Sequence, residues 1–294
     1  MHATLPSIEP GCQGISPRGA APHTGPVRKA LFIKFVAAVA MAAALWLLPA
    51  PHGWWVAGAV LAATLALLGW GVFAVNSSLW APTRWRGPGQ AVALTFDDGP
   101  DPAFTPRVLD ILRDKQTPAA FFVVGSRVSA QPQLASRIAR EGHLLGNHSH
   151  NHGLGINFSL HRRLRDELSG CNRALQLAAG VTPAFYRPPH GFKNPALGDV
   201  LRELGMVAVG WQVRAFDAVR QDAEAIIRRV LQGVRPGGVI LLHDGAGLQG
   251  SAGRDATLAA LPAIIDGLRA KGLRIVRLDE LLGTTGLRAA GESA

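Results

Sequence analysis

Two aspartates stand side by side at the end of an apolar run, in the stretch ALTFDDGP at positions 93–100. Adjacent carboxylates repel, and either one alone would serve a turn, where Asp-Gly and Gly-Pro are common pairs. A solvated turn is one reading of Asp97 and Asp98. The other is that a cation lies beside them and gives each acid a separate task. Further on, the run NHSHNH at 147–152 carries three histidines. His148 and His152 are four positions apart, which puts both imidazoles on one side of a helical turn or of an extended segment. Two such imidazoles and one carboxylate make a three-ligand site with open positions, the donor set of a catalytic zinc or a similar divalent ion. One aspartate of the pair can be the third ligand, and the other then stays free as a base beside the attacking water. His150 reads as a wall residue or as a hydrogen-bond donor to a ligand rather than as a third imidazole ligand.

These side chains need elements to hold them. From position 90 onward, seven short β-branched or apolar runs alternate with amphipathic helical stretches; the runs lie at 91–96, 119–125, 143–149, 183–189, 206–211, 238–244 and 273–278. Strands alternating with helices in this way imply parallel pairing through right-handed crossovers. That many strands over about 200 residues predicts an α/β barrel or a strongly wound sheet, with its chemistry at the C-terminal strand ends. The unusual polar residues gather at those ends. Asp97 and Asp98 close the first run, NHSHNH the third and YRPPHG the fourth; Asp217 follows the fifth, and His243 and Asp244 end the sixth.

Taken in order, TFDDGP, HSHNH, RPPHG and LLHD resemble the successive motifs of the NodB-like polysaccharide deacetylases, carbohydrate esterase family 4, over positions 92–278. The resemblance implies a distorted (β/α) barrel of the NodB-homology type and metal-dependent hydrolysis of N- or O-acyl groups on sugars. It also implies roles: Asp97 as general base, Asp98 with His148 and His152 as metal ligands, Arg187 orienting Asp97, and His243 as general acid on the leaving amine. The implied cofactor is a divalent metal, Zn²⁺ first, with Co²⁺, Ni²⁺ or Mn²⁺ as alternatives. The family commonly carries D-x-x-D-W after its fifth strand, where this chain has WQVRAFDA at 211–218. Arg214 thus replaces the first acid and Ala218 the tryptophan. Asp217 keeps the second acid, which the family pairs with the catalytic histidine. His190 stands where the third motif usually has an aromatic residue. Neutral drift and altered substrate choice both account for such changes, because loops carry variation and specificity alike.

Ahead of this region lie two apolar segments, at 31–50 and 54–75, with Lys34 as their one charge. The second is about as long as the ~30 Å hydrocarbon core of a bilayer requires. Trp54, Trp55, Trp80 and Trp85 flank it in the manner of an interfacial belt. The competing readings are a buried helical hairpin of a soluble protein and, for the first segment, an uncleaved signal-like anchor. Arg18, Arg28, Lys29 and Lys34 lie at the start of the first segment and Arg84 and Arg86 after the second, while the loop between them has only His52. The positive-inside rule then favours a bacterial-type cytoplasmic membrane with the catalytic region on the cytoplasmic rather than the periplasmic side. The expected division is a disordered tail at 1–30, a transmembrane hairpin at 31–80, a deacetylase domain at 86–284 and a C-terminal tail at 285–294.

The formal charge of +10 comes mostly from dispersed arginines, with no basic block interleaved with aromatics. That pattern excludes nucleic acid as a partner and fits an anionic lipid surface. Cys12 and Cys171 form neither a disulfide framework nor a zinc-finger spacing. Of seven tryptophans only Trp211 lies beyond the membrane-proximal part, and Tyr186 is the only tyrosine. A groove for a long glycan usually offers several stacking rings, so this scarcity predicts a short sugar head, lipid-linked or free. The expected protein is a membrane-anchored, metal-dependent hydrolase that removes N-acyl groups from a carbohydrate. A deformylase or other C–N hydrolase on the same site, and an inactive carbohydrate-binding homologue, are the alternatives.

Overall fold

A computed structural model of the chain describes residues 25–219, 222–245, 254–284 and 286–287. The expected tails at 1–24 and 288–294 lie outside the described residues. Positions 26–30, expected in the first tail, are helical instead, because Pro26 opens α1 (Pro26–Leu47) with its φ already suited to a first turn. A short turn leads into α2 (His52–Phe73). Each helix has 22 residues and is long and apolar enough to cross a membrane. Only 17% and 11% of their most apolar windows are buried, so neither is packed as the core helix of a soluble protein would be. Trp54 and Trp55 are exposed, as a belt requires, but Trp80 is buried. Its indole lies on the bare backbone of Gly71 and its carbonyl against Gly198, so it seals the joint between hairpin and domain rather than facing lipid.

The domain begins with β1 (Thr83–Arg84) and β2 (Ala91–Asp97), then alternates α3 (Thr105–Asp114), β3 (Ala120–Val123), α4 (Gly125–Ala130), α5 (Pro132–Arg140) and β4 (Leu144–Asn147). It continues with α6 (His161–Ala179), β5 (Phe185–Tyr186), α7 (Pro195–Glu203), β6 (Val207–Val209), β7 (Val213–Arg214), α8 (Ala223–Gly233) and β8 (Val239–His243). It closes with α9 (Asp255–Ala270), β9 (Arg274–Ile275) and α10 (Leu278–Leu282). All strand pairings are parallel, in the order β1-β6-β5-β4-β3-β2-β8-β7, with β9 against the start of β2. β6 and β7 sit near opposite ends of that order, yet only Gly210, Trp211 and Gln212 separate them. Four Cα steps reach at most about 15 Å, so the two ends of the sheet must curl towards each other. The result is a curled, incompletely closed α/β barrel, as the alternation of runs and helices predicts.

Side chains alternate across β2. Val92, Leu94 and Phe96 join the core under the surrounding helices, with Leu109, Ile138, Ile240 and Leu261. Ala91 and Ala93 face the barrel interior with Phe122, Phe185 and Val239, and α10 plugs that interior with Leu278 and Leu281. Period-two alternation then carries Thr95 and Asp97 to the inner face. The hairpin is tied to the domain through Lys193. Lys193 is buried; its Nζ donates to the carbonyls of Val75, at 2.7 Å, and Ser77, and to Thr83 Oγ1 at 3.0 Å. Its backbone N–H donates to the carbonyl of Val72 inside α2.

Candidate active site

Asp97 is the last residue of β2 and the register partner of His243, the last residue of β8. Neighbouring strands lie about 4.8 Å apart, so an acid and an imidazole stand side by side at one rim. His148 follows β4 and Arg187 follows β5, and these two strands pair through Asn147 and Tyr186. The guanidinium of Arg187 is fully buried over the Phe122 ring. Its Nη1 donates to Asp97 Oδ1 at 2.6 Å and to Thr95 Oγ1 at 2.8 Å. Burial pulls the Arg187 pKa down, and the Asp97 carboxylate opposes that pull.

Asp98 points to the other side. Its Oδ1 lies 3.1 Å from His152 Nε2 and 3.5 Å from His148 Nε2. Among the described residues these three form the one cluster suited to a metal, with ligand atoms within 4.8 Å of one another. His148 Nδ1 is 2.7 Å from the carbonyl oxygen of Arg187. A carbonyl only accepts, so Nδ1 is the donor and Nε2 is the nitrogen turned towards Asp98. Two imidazole nitrogens converging on one carboxylate suit a divalent ion of the zinc type. Burial works to raise the pKa of Asp98, but the His148 and His152 rings outweigh it and hold the carboxyl well below its usual range.

The loop that carries the ligands is held by residues with no such signature in the sequence. Asn147 Oδ1 accepts from the Ser149 N–H at 2.8 Å, and Ser149 Oγ accepts from the His152 N–H at 3.0 Å. From α6, Glu167 Oε2 accepts from the N–H groups of His150 and Asn151 at 3.1 and 2.9 Å. Glu167 reads in the sequence as one more charged residue of an amphipathic helix. His150 is not in the metal cluster; its ring packs against Gly125 and Gly170, between α4 and α6. Asp98, Ser149, His152, His190 and Phe216 all hold positive φ, between 53° and 74°. Such conformations cost non-glycine residues on the order of 1–3 kcal/mol each and gather at sites that demand a set geometry.

Across the rim, His243 Nδ1 bonds Asp217 Oδ1 at 2.8 Å. Asp217 Oδ2 accepts from the His243 N–H at 2.9 Å and from Thr257 Oγ1 at 3.0 Å. Burial acts to lower the pKa of His243, but Asp217, with smaller help from Asp98 and Asp97, raises it above the ordinary value. Asp217 shifts the opposite way: burial would raise it, and His243 holds it down. Asp244 has turned away into the protein, where it accepts from Thr105 Oγ1 at 2.6 Å and burial pushes its pKa up to about 7. His190 packs edge-on against His152 with ring centres 5.2 Å apart. Burial, then the His152 and His148 rings, lower its pKa.

All seven residues singled out from the sequence therefore converge on one rim. The scarcity of rings does not hold. The adjoining cavity is lined by Trp211 and by Phe73, Phe158, Phe192 and Phe216, phenylalanines drawn from distant segments that a count of Trp and Tyr passes over.

The sequence profile described as polysaccharide deacetylase matches residues 85–209. A peptidoglycan-N-acetylglucosamine deacetylase of Bacillus cereus is 36% identical over 202 residues, covering 67% of this chain and 92% of that protein. A chitooligosaccharide deacetylase of Sinorhizobium fredii is 37% identical over 196 residues, covering 65% and 91%. Among solved structures, a peptidoglycan N-acetylglucosamine deacetylase in complex with an N-oxidanyl-benzamide superposes with a TM-score of 0.66 at 34% identity, over 70% of this chain and 95% of that one. Curled barrel, ordered motifs and sequence identity agree: this chain belongs to the polysaccharide deacetylases of carbohydrate esterase family 4 and is a hydrolase of non-peptide carbon–nitrogen bonds.

Proposed function

We propose that the protein is a membrane-anchored, metal-dependent N-deacetylase of a carbohydrate, with residues 31–80 as its anchor and 86–284 as its catalytic domain. The observation that carries this reading is the division of labour between neighbouring acids: Asp97 is held by Arg187, and Asp98 faces His148 and His152. Asp98, His148 and His152 would hold the metal, Zn²⁺ in the first place and Co²⁺, Ni²⁺ or Mn²⁺ as substitutes. When bound, the ion polarises the acyl carbonyl and lowers the pKa of water.

Asp97 accepts the proton of the attacking water. Arg187 holds that carboxylate in place by its 2.6 Å bond. His243 uses Nδ1 on Asp217, which leaves its Nε2–H to protonate the departing amine. Water adds to the acyl carbon, the C–N bond breaks, and a free amine and a carboxylate result. The basic residues Arg28, Lys29, Arg84 and Arg86 support a cytoplasmic face for the domain. The test is acetate release from a panel of N-acetylated sugars by the metal-loaded protein, with formylated sugars in parallel. Acetate release that needs metal is expected. Formate release alone would make the enzyme a deformylase, and no release from any sugar would overturn the reading.

A further inference from the structure

A cavity of about 750 Å³ runs from His190, beside His152, to the end of the second apolar helix, with Phe73, Val75 and Asn76 at its far side. Its third side is basic. Arg214 and Arg229 both lie over the ring of Phe216, with guanidinium carbons 5.1 and 4.1 Å from its centre. Arg229 Nε donates to the backbone carbonyl of Arg214 at 2.7 Å, which holds the Arg229 side chain beside β7. Asp217, the nearest acid in sequence, is spent on His243 and Thr257. Among the described residues neither guanidinium is ion-paired with a carboxylate, and Arg214 Nε is buried with no hydrogen-bond partner. Both guanidiniums border the cavity without a carboxylate to neutralise them, a setting that suits an anion. Planar guanidinium forks match the paired oxygens of a phosphate.

The rest of the cavity says what carries the phosphate. Phe73 is the last residue of α2, is 63% exposed, and meets Phe192 edge-on at 5.3 Å between ring centres. Phe158 is 74% exposed and lines the same cavity, with the exposed Leu154 beside it. These side chains have no polar handle for a sugar, and they continue the apolar surface of the spanning helix up to the rim. We infer that Arg214 and Arg229 form a phosphate-binding subsite, and that the substrate is an N-acylated sugar joined through phosphate to a lipid chain that leaves over Phe73 and Phe158. The sugar part of this inference rests on the deacetylase reading; the phosphate subsite does not.

The full-length protein in detergent is given three substrates: a polyprenyl-phosphate-linked N-acetylglucosamine, soluble N-acetylglucosamine 1-phosphate, and a neutral long-chain alkyl N-acetylglucosaminide. The readout is the ratio of kcat/KM for each phosphate substrate over the neutral one. In Arg214→Ala/Arg229→Ala that ratio should fall about 10- to 100-fold, the weight of one or two charge-assisted hydrogen bonds, with Arg214→Lys/Arg229→Lys falling less. An unchanged ratio overturns the subsite, and equal turnover of the soluble and lipid-linked phosphates overturns the lipid. Calorimetric binding of polyprenyl monophosphate alone is read without turnover. It should be tight in the wild type and at least tenfold weaker in the double alanine variant; equal binding overturns the subsite. If binding behaves as expected while no sugar is hydrolysed, the deacetylase reading falls and the subsite stands.

Discussion

His148 gives its Nδ1 hydrogen to the carbonyl oxygen of Arg187, 2.7 Å away, while the guanidinium of that same arginine holds Asp97 at 2.6 Å. One residue thus orients the His148 ring with its backbone and the Asp97 carboxylate with its side chain. Arg187→Lys should keep the backbone contact and therefore metal content, yet lower kcat, since one ammonium cannot serve Asp97 and Thr95 together with the carbonyls of Val209 and Gly210, which the three guanidinium nitrogens reach. Metal stoichiometry and kcat measured on one preparation separate the two effects, and loss of metal in this variant would contradict the account.

Removing a ligand should act differently. His152→Ala should abolish bound metal and turnover together, and chelation of the wild type should do the same, reversed by added Zn²⁺ or Co²⁺. A metal-free His152→Ala protein with full activity would refute the ligand assignment.

The paired acids should part company on mutation. Asp97→Asn should retain metal and lose about 10²–10⁴ in kcat, the usual range for a general base, whereas Asp98→Asn should weaken metal binding first. Metal titration of both variants, read by competition with a chromogenic chelator, checks this. Equal weakening in the two would mean that the roles are wrongly divided.

For pH, the sign follows from the His243–Asp217 pair. Asp217 raises the pKa of His243 against the opposing effect of burial. A general acid works while protonated, so activity is lost as pH rises through that pKa. In Asp217→Asn the raising charge is gone and burial dominates, so the alkaline limb of the kcat profile should move to lower pH. A limb that stays in place would remove His243 from the role of acid.

The joint between the helical hairpin and the domain should be measurable as stability. Lys193→Met leaves the acceptors of Val75, Ser77 and Thr83 without their ammonium donor. Each buried group left bare costs on the order of 1–3 kcal/mol, and about 2–4 °C of Tm accompanies each kcal/mol in a chain of this size. Thermal unfolding in detergent should therefore drop by several degrees. An unchanged Tm would show that the contact is not needed to hold hairpin and domain together.

The chemistry was legible in the sequence because it is written in adjacent letters. Asp97-Asp98 and His148-x-x-x-His152 have spacings that limit what they can do, and the alternation of runs with helices fixed which strand ends they share. Residues that act across long separations were not legible. Glu167 braces the ligand loop from mid-helix, Thr257 steadies Asp217 from forty positions away, and Phe73 and Phe192 meet only because hairpin and barrel are docked. Trp80 misled for a related reason. A tryptophan near a span suits an interfacial belt, and only the bare backbone of Gly71 reveals that it has a seat inside. Arg229 is the plainest case: one arginine among many on a surface helix becomes distinctive only when Phe216 and Arg214 are seen beneath it.

The direct docking of α2 on the loop after Arg187, with Lys193 and Phe192 against Val72, Phe73 and Val75, has a kinetic consequence. An enzyme on a long tether sweeps a volume, and bulk molarity governs its encounters. On the proposed membrane anchor, with the pocket held directly at its end, the search for a lipid-borne substrate would run in two dimensions. Turnover should then track the mole fraction of substrate in the bilayer. Diluting the vesicles with buffer should leave the initial rate per enzyme unchanged, whereas diluting the same substrate with inert phospholipid should slow it in proportion.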